Sequence, residues 1–175
     1  MGVEPLRRRR TAAVTAGLWG IVLLTGCASS SAQTERMNLD LSITAKANVN
    51  PDEKGRASPV LVRVYELKTE AAFVNADYFL LDKSDTTALA QDLLARDEFV
   101  LRPGETRNVE RKLQEGARIL GFLVGYRDLG KAQWRAVHVL PNAPRSAWYR
   151  SVIPASEVEL QVTLDQQAIS ISKPD

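Results

Sequence analysis

Segments in which apolar and polar side chains alternate recur along the chain, separated by turn-forming residues at intervals of about ten residues. The first, residues 38–47, places Leu39, Leu41 and Ile43 on one face and polar side chains on the other. A repeat of two residues with one apolar face is typical of a half-buried β-strand. Roughly seven or eight such strands predict a mainly β fold, a two-sheet antiparallel β-sandwich.

One segment interrupts this pattern. Residues 60–67 are apolar on both faces, which predicts a central strand whose outer side is also covered. The cover is predicted to be a small helical insertion at about residues 69–95, with Ser84 or Asp85 as a helix cap. Its apolar face is predicted to comprise Leu89, Ala90, Leu93 and Leu94, which recur at a helical spacing.

Two glycines mark where the insertion should pack. In the apolar segment 119–126, Gly121 and Gly125 fall on one face while larger side chains occupy the other. Glycine within a strand often marks a close approach by another element. We therefore expect a neighbouring element to lie directly against this face.

The N-terminus has the pattern of an export signal. Four arginines at residues 7–10 precede an apolar run over residues 12–24, which is too short to span a membrane. The sequence Leu24-Thr25-Gly26-Cys27 that follows resembles the lipobox of bacterial lipoproteins. The resemblance implies cleavage before Cys27 and attachment of diacylglyceryl and N-acyl chains to it. An ordinary cysteine near a cleavage site is the alternative.

These features divide the chain into three parts. Residues 1–26 are predicted to be the lipoprotein signal peptide, residues 27–37 the lipidated N-terminus and flexible tether, and residues 38–173 the sandwich domain. Ala28 follows the cysteine, where an aspartate would favour inner-membrane retention in lipoproteins of diderm bacteria. Alanine there implies an outer-membrane protein whose domain faces the periplasm.

Composition excludes several functions. The formal net charge of +2 becomes about −1 once residues 1–26 are removed, so no cationic surface for nucleic acid is expected. His138 is the single histidine and Cys27 the single cysteine, too few for a zinc site. The carboxylates that could act in pairs, Asp52 with Glu53 and Asp82 with Asp85, are predicted to be solvated and poor general acids. We expect no enzyme activity, no small-molecule substrate, no metal and no cofactor besides the lipid.

Two loops favour recognition instead. Residues 48–59 form a charged, turn-rich loop after the first strand. Residues 145–150 place Trp148 and Tyr149 between two arginines, and these three residue types are enriched at interface anchor points.

Short motifs follow the lipobox in a fixed order. They are Asn50-Pro51-Asp52, Gly55-Arg56 and Ser58-Pro59 before the strand 60–67, then Phe73, Asp77-Tyr78-Phe79, Leu101-Arg102-Pro103-Gly104, Leu120-Gly121, Tyr126-Arg127-Asp128 and Trp134-Arg135.

Together these motifs resemble the TssJ family, the outer-membrane lipoprotein of the bacterial type VI secretion system. The resemblance implies a transthyretin-like β-sandwich with an added helical part. It also implies a function: holding the periplasmic C-terminal region of the inner-membrane protein TssM, in a complex that includes TssL. The family's contact loop corresponds by position to residues Asn50, Pro51, Asp52, Lys54, Gly55 and Arg56.

Two other functions are compatible with the residues alone. A glycan- or peptidoglycan-binding module would use Trp134, Trp148 and Tyr149 as stacking platforms, and Trp148 and Tyr149 are also a secondary candidate for partner binding. A hydrolase would need His138 as its base, and no partner for it is evident.

Overall fold

The computed structural model describes Gly2, residues 36–142 and residues 157–174. Within them, eight strands form two four-stranded sheets, ordered β4-β1-β7-β8 and β3-β2-β5-β6. The strands are β1 (Asn38–Ala45), β2 (Val60–Leu67), β3 (Leu93–Leu101), β4 (Thr106–Lys112), β5 (Ile119–Gly125), β6 (Arg135–Val139), β7 (Glu157–Leu164) and β8 (Ile169–Ser172).

The predicted fold class, a mainly β sandwich, is confirmed, but one strand pair is not antiparallel. β1 pairs with β4 in antiparallel fashion and with β7 in parallel. No hairpin joins β1 to β7, because five strands lie between them in sequence, so nothing local imposes an antiparallel arrangement.

The main core lies between the sheets. Leu39, Leu41 and Ile43 of β1 are fully buried and pack with inward residues of the other sheet, such as Val62 and Phe122. The alternation in β1 is therefore the signature of one buried face, as predicted.

A second, smaller core covers the outer face of β2 and β5. It joins Tyr65 and Leu67 to Phe73 of α1 (Ala71–Asn75) and Leu81 of α2 (Tyr78–Ala88). Arg63 of β2 reinforces this contact by donating hydrogen bonds to the carbonyls of Leu81 and Asp82, at 3.1 and 3.0 Å. The central strand is thus covered on both sides.

The predicted details of the insertion are partly wrong. The cap of α2 is Asp77, whose side chain accepts a hydrogen bond from the backbone N–H of Leu80 at 2.9 Å. Ser84 instead forms a kink inside α2, with φ −145° and ψ 34°, and Asp85 is buried rather than solvated.

The helical region also ends earlier than residue 95. Leu93 and Leu94 belong to β3, and Leu93 pairs with Leu67 of β2. Both Leu89 and Leu93 pack on the second core. Their spacing of four residues therefore reflects a turn followed by a strand, both packed on the same apolar surface. A spacing of four residues does not distinguish that arrangement from a helix.

The close approach at the two glycines is confirmed. A Cβ on Gly121 would lie 3.1 Å from the Phe73 ring, and a Cβ on Gly125 would lie 3.1 Å from Tyr78 Oη. The glycines allow α1 and the start of α2 to lie directly on β5.

Asp85 fastens the insertion to the sheet. Tyr65 Oη donates to Asp85 Oδ2 at 3.0 Å, and Arg96 Nη1 donates to both carboxylate oxygens at 3.0 and 2.8 Å. Burial alone would raise the pKa of Asp85, but the hydrogen bonds from Arg96 and Tyr65 outweigh it and hold the pKa below its usual value.

This pKa shift predicts a specific acid response. The unfolded chain binds the Asp85 proton more readily than the folded one, so the carboxylate contributes stability above about pH 4, the unfolded pKa. That stability is lost as pH falls further, through the lower folded pKa. We expect the free energy of unfolding of Asp85→Asn to depend less on pH below 4 than that of the wild type, measured by urea titration. Parallel pH profiles for the two proteins would contradict this.

The sandwich has two ends with different connections. At the entry end, Met37 leads into β1 and its carbonyl accepts a hydrogen bond from the Leu113 N–H at 2.9 Å. β1 then runs eight residues to Ala45, about 25 Å at ~3.4 Å per residue. Residues 46–59 follow at the opposite end, which we call the loop end. Neither helix in the described part of the chain has the length and apolar character of a membrane span.

Candidate partner-binding site

The loop end gathers four connections: residues 46–59, 102–105, 126–134 and 165–168. Backbone hydrogen bonds of 2.9 Å join Gly104 N to the Ala45 carbonyl and Lys46 N to the Leu164 carbonyl. Asn50 N donates to the Gln166 carbonyl at 3.1 Å. The first part of the loop after β1 is therefore held by its neighbours.

Asn50 fixes the start of the charged part of this loop. Its backbone has φ 49° and its side chain is buried. Nδ2 donates to the Pro59 carbonyl at 2.9 Å, and Oδ1 accepts from the Arg127 N–H at 2.7 Å. The side chain of this predicted site residue is thus used inside the domain, where it ties two loops together.

Asp52 closes the turn that follows. Its Oδ1 accepts from the N–H groups of Lys54 and Arg56, both at 2.9 Å, and its Oδ2 pairs with the Arg56 guanidinium at 2.7–2.8 Å. The Gly55 N–H donates to the Asp52 carbonyl, with φ 76° at Gly55. The hydrogen bonds from Arg56 hold the pKa of Asp52 below its usual value. Residues 52–56 are therefore a pre-formed turn.

The turn presents a small set of side chains to solvent. Glu53, Lys54, Gly55 and Arg56 are exposed, whereas Pro51 is half-buried. Sequence reasoning grouped Asn50 and Asp52 with these contact candidates and missed their internal roles. The sequence did hold a signal for Asp52. An Asp side chain in a turn commonly accepts hydrogen bonds from backbone N–H groups a few residues later, as Asp52 does from Lys54 and Arg56.

Once internal ion pairs are removed, the described residues of this end keep three cations against two anions, Glu53 and Glu105. Lys46 pairs with Asp165, and Lys131 pairs with Asp128 at 3.0 Å. Exposed cations without an ion-pair partner among the described residues remain in three of the loops: Lys54, Arg102 and Arg127.

The other sequence candidates are placed differently. Cys27, Trp148 and Tyr149 lie outside the described residues. Trp134 is half-buried: its ring meets Tyr78 edge-on at 5.4 Å, and the Arg135 guanidinium lies 4.8 Å from its centroid. A stacking role for Trp134 would therefore compete with two internal contacts.

His138 lies towards the entry end, away from the pre-formed turn. It is half-buried on β6, and burial, followed by the charge of Lys173, lowers its pKa. It borders a cavity of about 480 Å³ that Glu157, Glu159 and Lys173 also line. No group of three metal-ligating side chains occurs among the described residues.

The comparisons with known proteins agree on one family. The family described as type VI secretion lipoprotein, VasD, EvfM, TssJ matches residues 37–167. It is a family of secretion-system lipoproteins rather than of enzymes. No curated protein sequence matches the chain.

Solved structures give the same result. The T6SS lipoprotein TssJ1 of Pseudomonas aeruginosa is 39% identical, with a TM-score of 0.69 over 80% of this chain and 98% of that chain. Serratia marcescens Lip, a membrane-bound component of the type VI secretion system, is 27% identical, with a TM-score of 0.69 over 78% and 97%.

A third match is a chain in the structure described as the T6SS protein TssM C-terminal domain (869–1107) from EAEC. It is 25% identical, with a TM-score of 0.60 over 77% of this chain and 99% of that chain. With a family match over most of the sandwich and a close structural relative, this chain belongs to the type VI secretion lipoprotein family that includes TssJ.

Proposed function

We propose that this lipoprotein is anchored to the outer membrane through lipid on Cys27 and binds the periplasmic C-terminal region of TssM through the loop after β1. TssL, by the same family resemblance, belongs to the same complex. One observation carries the proposal: a pre-formed, exposed turn, residues 52–56, lies at the end of the domain opposite to the entry of the chain.

The order of the turn favours binding. Association must offset the entropy lost when a loop is immobilised, and a loop fixed beforehand reduces that cost. Here Asn50 and Asp52 hold the backbone. The exposed side chains of Glu53, Lys54 and Arg56 are therefore presented without further ordering of the main chain.

The EAEC structure supports TssM as the partner. The match spans 77% of this 175-residue chain, about 135 residues, and those residues cover 99% of the matched chain. The TssM domain in that structure, residues 869–1107, is 239 residues long. The matched chain is thus much shorter than the TssM domain. We infer that it is a second protein present beside TssM in that structure.

The anchor fits the same arrangement. Residues 27–37, if extended, would reach at most about 35 Å at ~3.5 Å per residue. They join the domain at the entry end through Met37. Lipid in the outer membrane would then hold one end of the domain and leave the loop end free for a protein that arrives from the inner membrane.

Reversing the charge of the turn tests the binding site. Lys54 is the best position, because Asp52 and Arg56 also hold the turn together and their loss would change its shape. We expect Lys54→Glu to weaken binding of the TssM C-terminal region about fivefold or more, mainly by slowing association, as exposed interface charges do. The measurement is biolayer interferometry at two salt concentrations.

A matched control is available at the other end of the domain. Lys112 is exposed at the entry end of β4, so Lys112→Glu makes the same change of net charge away from the turn. Lys112→Glu and His138→Ala should both bind as the wild type does. Equal weakening by Lys54→Glu and Lys112→Glu would indicate a general charge effect and move the site elsewhere.

A further inference from the structure

Three large apolar side chains are exposed near the loop end. Phe79, Leu80 and Val100 are 59%, 44% and 58% exposed. Phe79 and Leu80 lie in the first turn of α2, where their neighbour Leu81 is the residue that faces the sheet and is fully buried. The second core is thus complete without these three side chains.

Strand pairing places them on one face. Val100 of β3 lies opposite Leu61, and Leu61 lies opposite Gly125 of β5. Tyr78, the first residue of α2, places its hydroxyl 3.1 Å from where a Cβ of Gly125 would be. The start of α2 and Val100 therefore share the outer face of the second sheet, at the end where residues 46–59 join β2.

Isolated apolar side chains on a surface need no explanation, but apolar groups brought together and rimmed by charge often mark a protein interface. Here the rim carries both signs: the Lys83 ammonium lies 5.9 Å from the centre of the Phe79 ring, and Asp77 and Glu98 are exposed beside α2 and Val100. Lys54, Arg102 and Arg127 supply further positive charge from the adjoining loops.

We propose that Phe79, Leu80 and Val100 form the apolar half of the TssM-binding surface, next to the charged turn 52–56. This inference rests on the proposed function and extends it from a loop to a composite surface. The partner surface that fits it carries apolar side chains, with acidic ones where it meets Lys54, Arg102 and Arg127. Apolar anchors at the centre of an interface commonly carry most of the binding energy, while surrounding charges guide association.

The position of this surface favours TssM over the lipid bilayer as its occupant, because the surface adjoins the loop that carries the turn 52–56 of the proposed binding site. The chain enters the sandwich at Met37, and the loop end lies about 25 Å away along β1. The loop end is therefore the part of the sandwich farthest along β1 from the point at which the anchored segment joins it.

The first test measures binding by the full-length lipidated protein in detergent. We expect the double variant Phe79→Ser/Leu80→Ser to bind the TssM C-terminal region about tenfold or more weakly, mainly through faster dissociation. Val139 is the matched control, since it is 66% exposed on the same sheet but towards the entry end. Val139→Ser should stay within about twofold of the wild type, and both proteins should stay folded, with melting temperatures within about 5 °C of the wild type, because the replaced side chains are partly or largely exposed.

The outcomes separate this inference from the proposed function. If the wild type binds and the double variant binds equally well, the apolar half is wrong and the loop site stands. If the wild type itself does not bind, the proposed function fails and this inference with it.

A second test identifies the occupant in cells. A photo-crosslinking phenylalanine analogue at position 79 of the full chain should yield an adduct that antibodies identify as TssM, whereas the analogue at position 139 should not. An adduct with lipid alone, or with a second copy of this chain, would overturn the proposal.

Discussion

Replacement of Cys27 by serine is expected to remove the protein from the outer-membrane fraction and to abolish its labelling with palmitate. Serine lacks the thiol on which the diacylglyceryl thioether is built. Each methylene buried in a bilayer contributes about 0.8 kcal/mol, so two or more acyl chains would hold the protein firmly, and serine at residue 27 removes that hold. The measurement is membrane fractionation with labelled palmitate.

The control is Ser29→Ala, which changes a neighbouring side chain without touching the thiol. It should fractionate and label as the wild type does. The sandwich of Cys27→Ser should remain folded, because ten residues separate residue 27 from the start of β1. A Cys27→Ser protein that stays in the outer-membrane fraction would show that another feature anchors the chain.

Replacement of Arg111 by leucine is expected to lower the free energy of unfolding by about 3 kcal/mol. Glu66 continues the inward row of β2 and is completely buried. Arg111 of β4 pairs with Glu66 at 2.8 Å and also pairs with Asp97 of β3. The Gln114 N–H donates a hydrogen bond to Glu66 at 2.6 Å. Without Arg111 the carboxylate of Glu66 would be buried next to no cation.

A double-variant comparison isolates this effect. In Glu66→Leu/Arg111→Leu neither charge remains, and apolar replacement of a whole buried pair is often close to neutral. We therefore expect the double variant to recover most of the stability that Arg111→Leu loses, as measured by urea unfolding. If the double variant were the less stable of the two, Glu66 would stabilise the fold without Arg111, for example by accepting from the Gln114 N–H, and an unpaired buried charge would not explain the loss in Arg111→Leu.

The strand pattern was predictable because each strand buries one face. The alternation of β1 and β7 indicates which face of each strand is buried, and the glycines of β5 indicate where another element packs closely. The same reasoning could not find the parallel pairing of β1 with β7, because that contact joins segments far apart in the sequence and leaves no local trace.

The insertion and the turn were harder to predict for a related reason. Asp85 appears in the sequence as a surface carboxylate, and only the fold brings Tyr65 and Arg96 to it. Asn50 likewise appears as a loop residue, although Arg127 and Pro59 bind its side chain. Local patterns identify the loop, but not which of its residues support it and which are left to bind.

The position of β1 has a mechanical consequence. Met37 leads into one end of β1 and the loop leaves from the other, so tension between a membrane anchor and a loop-bound partner would act along this strand. The hydrogen bonds of β1 to β4 and β7 lie across that direction. Because backbone hydrogen bonds also fasten the loop to the neighbouring connections, part of the tension would pass to β4 and β7 and load both ladders in shear, with many bonds strained together.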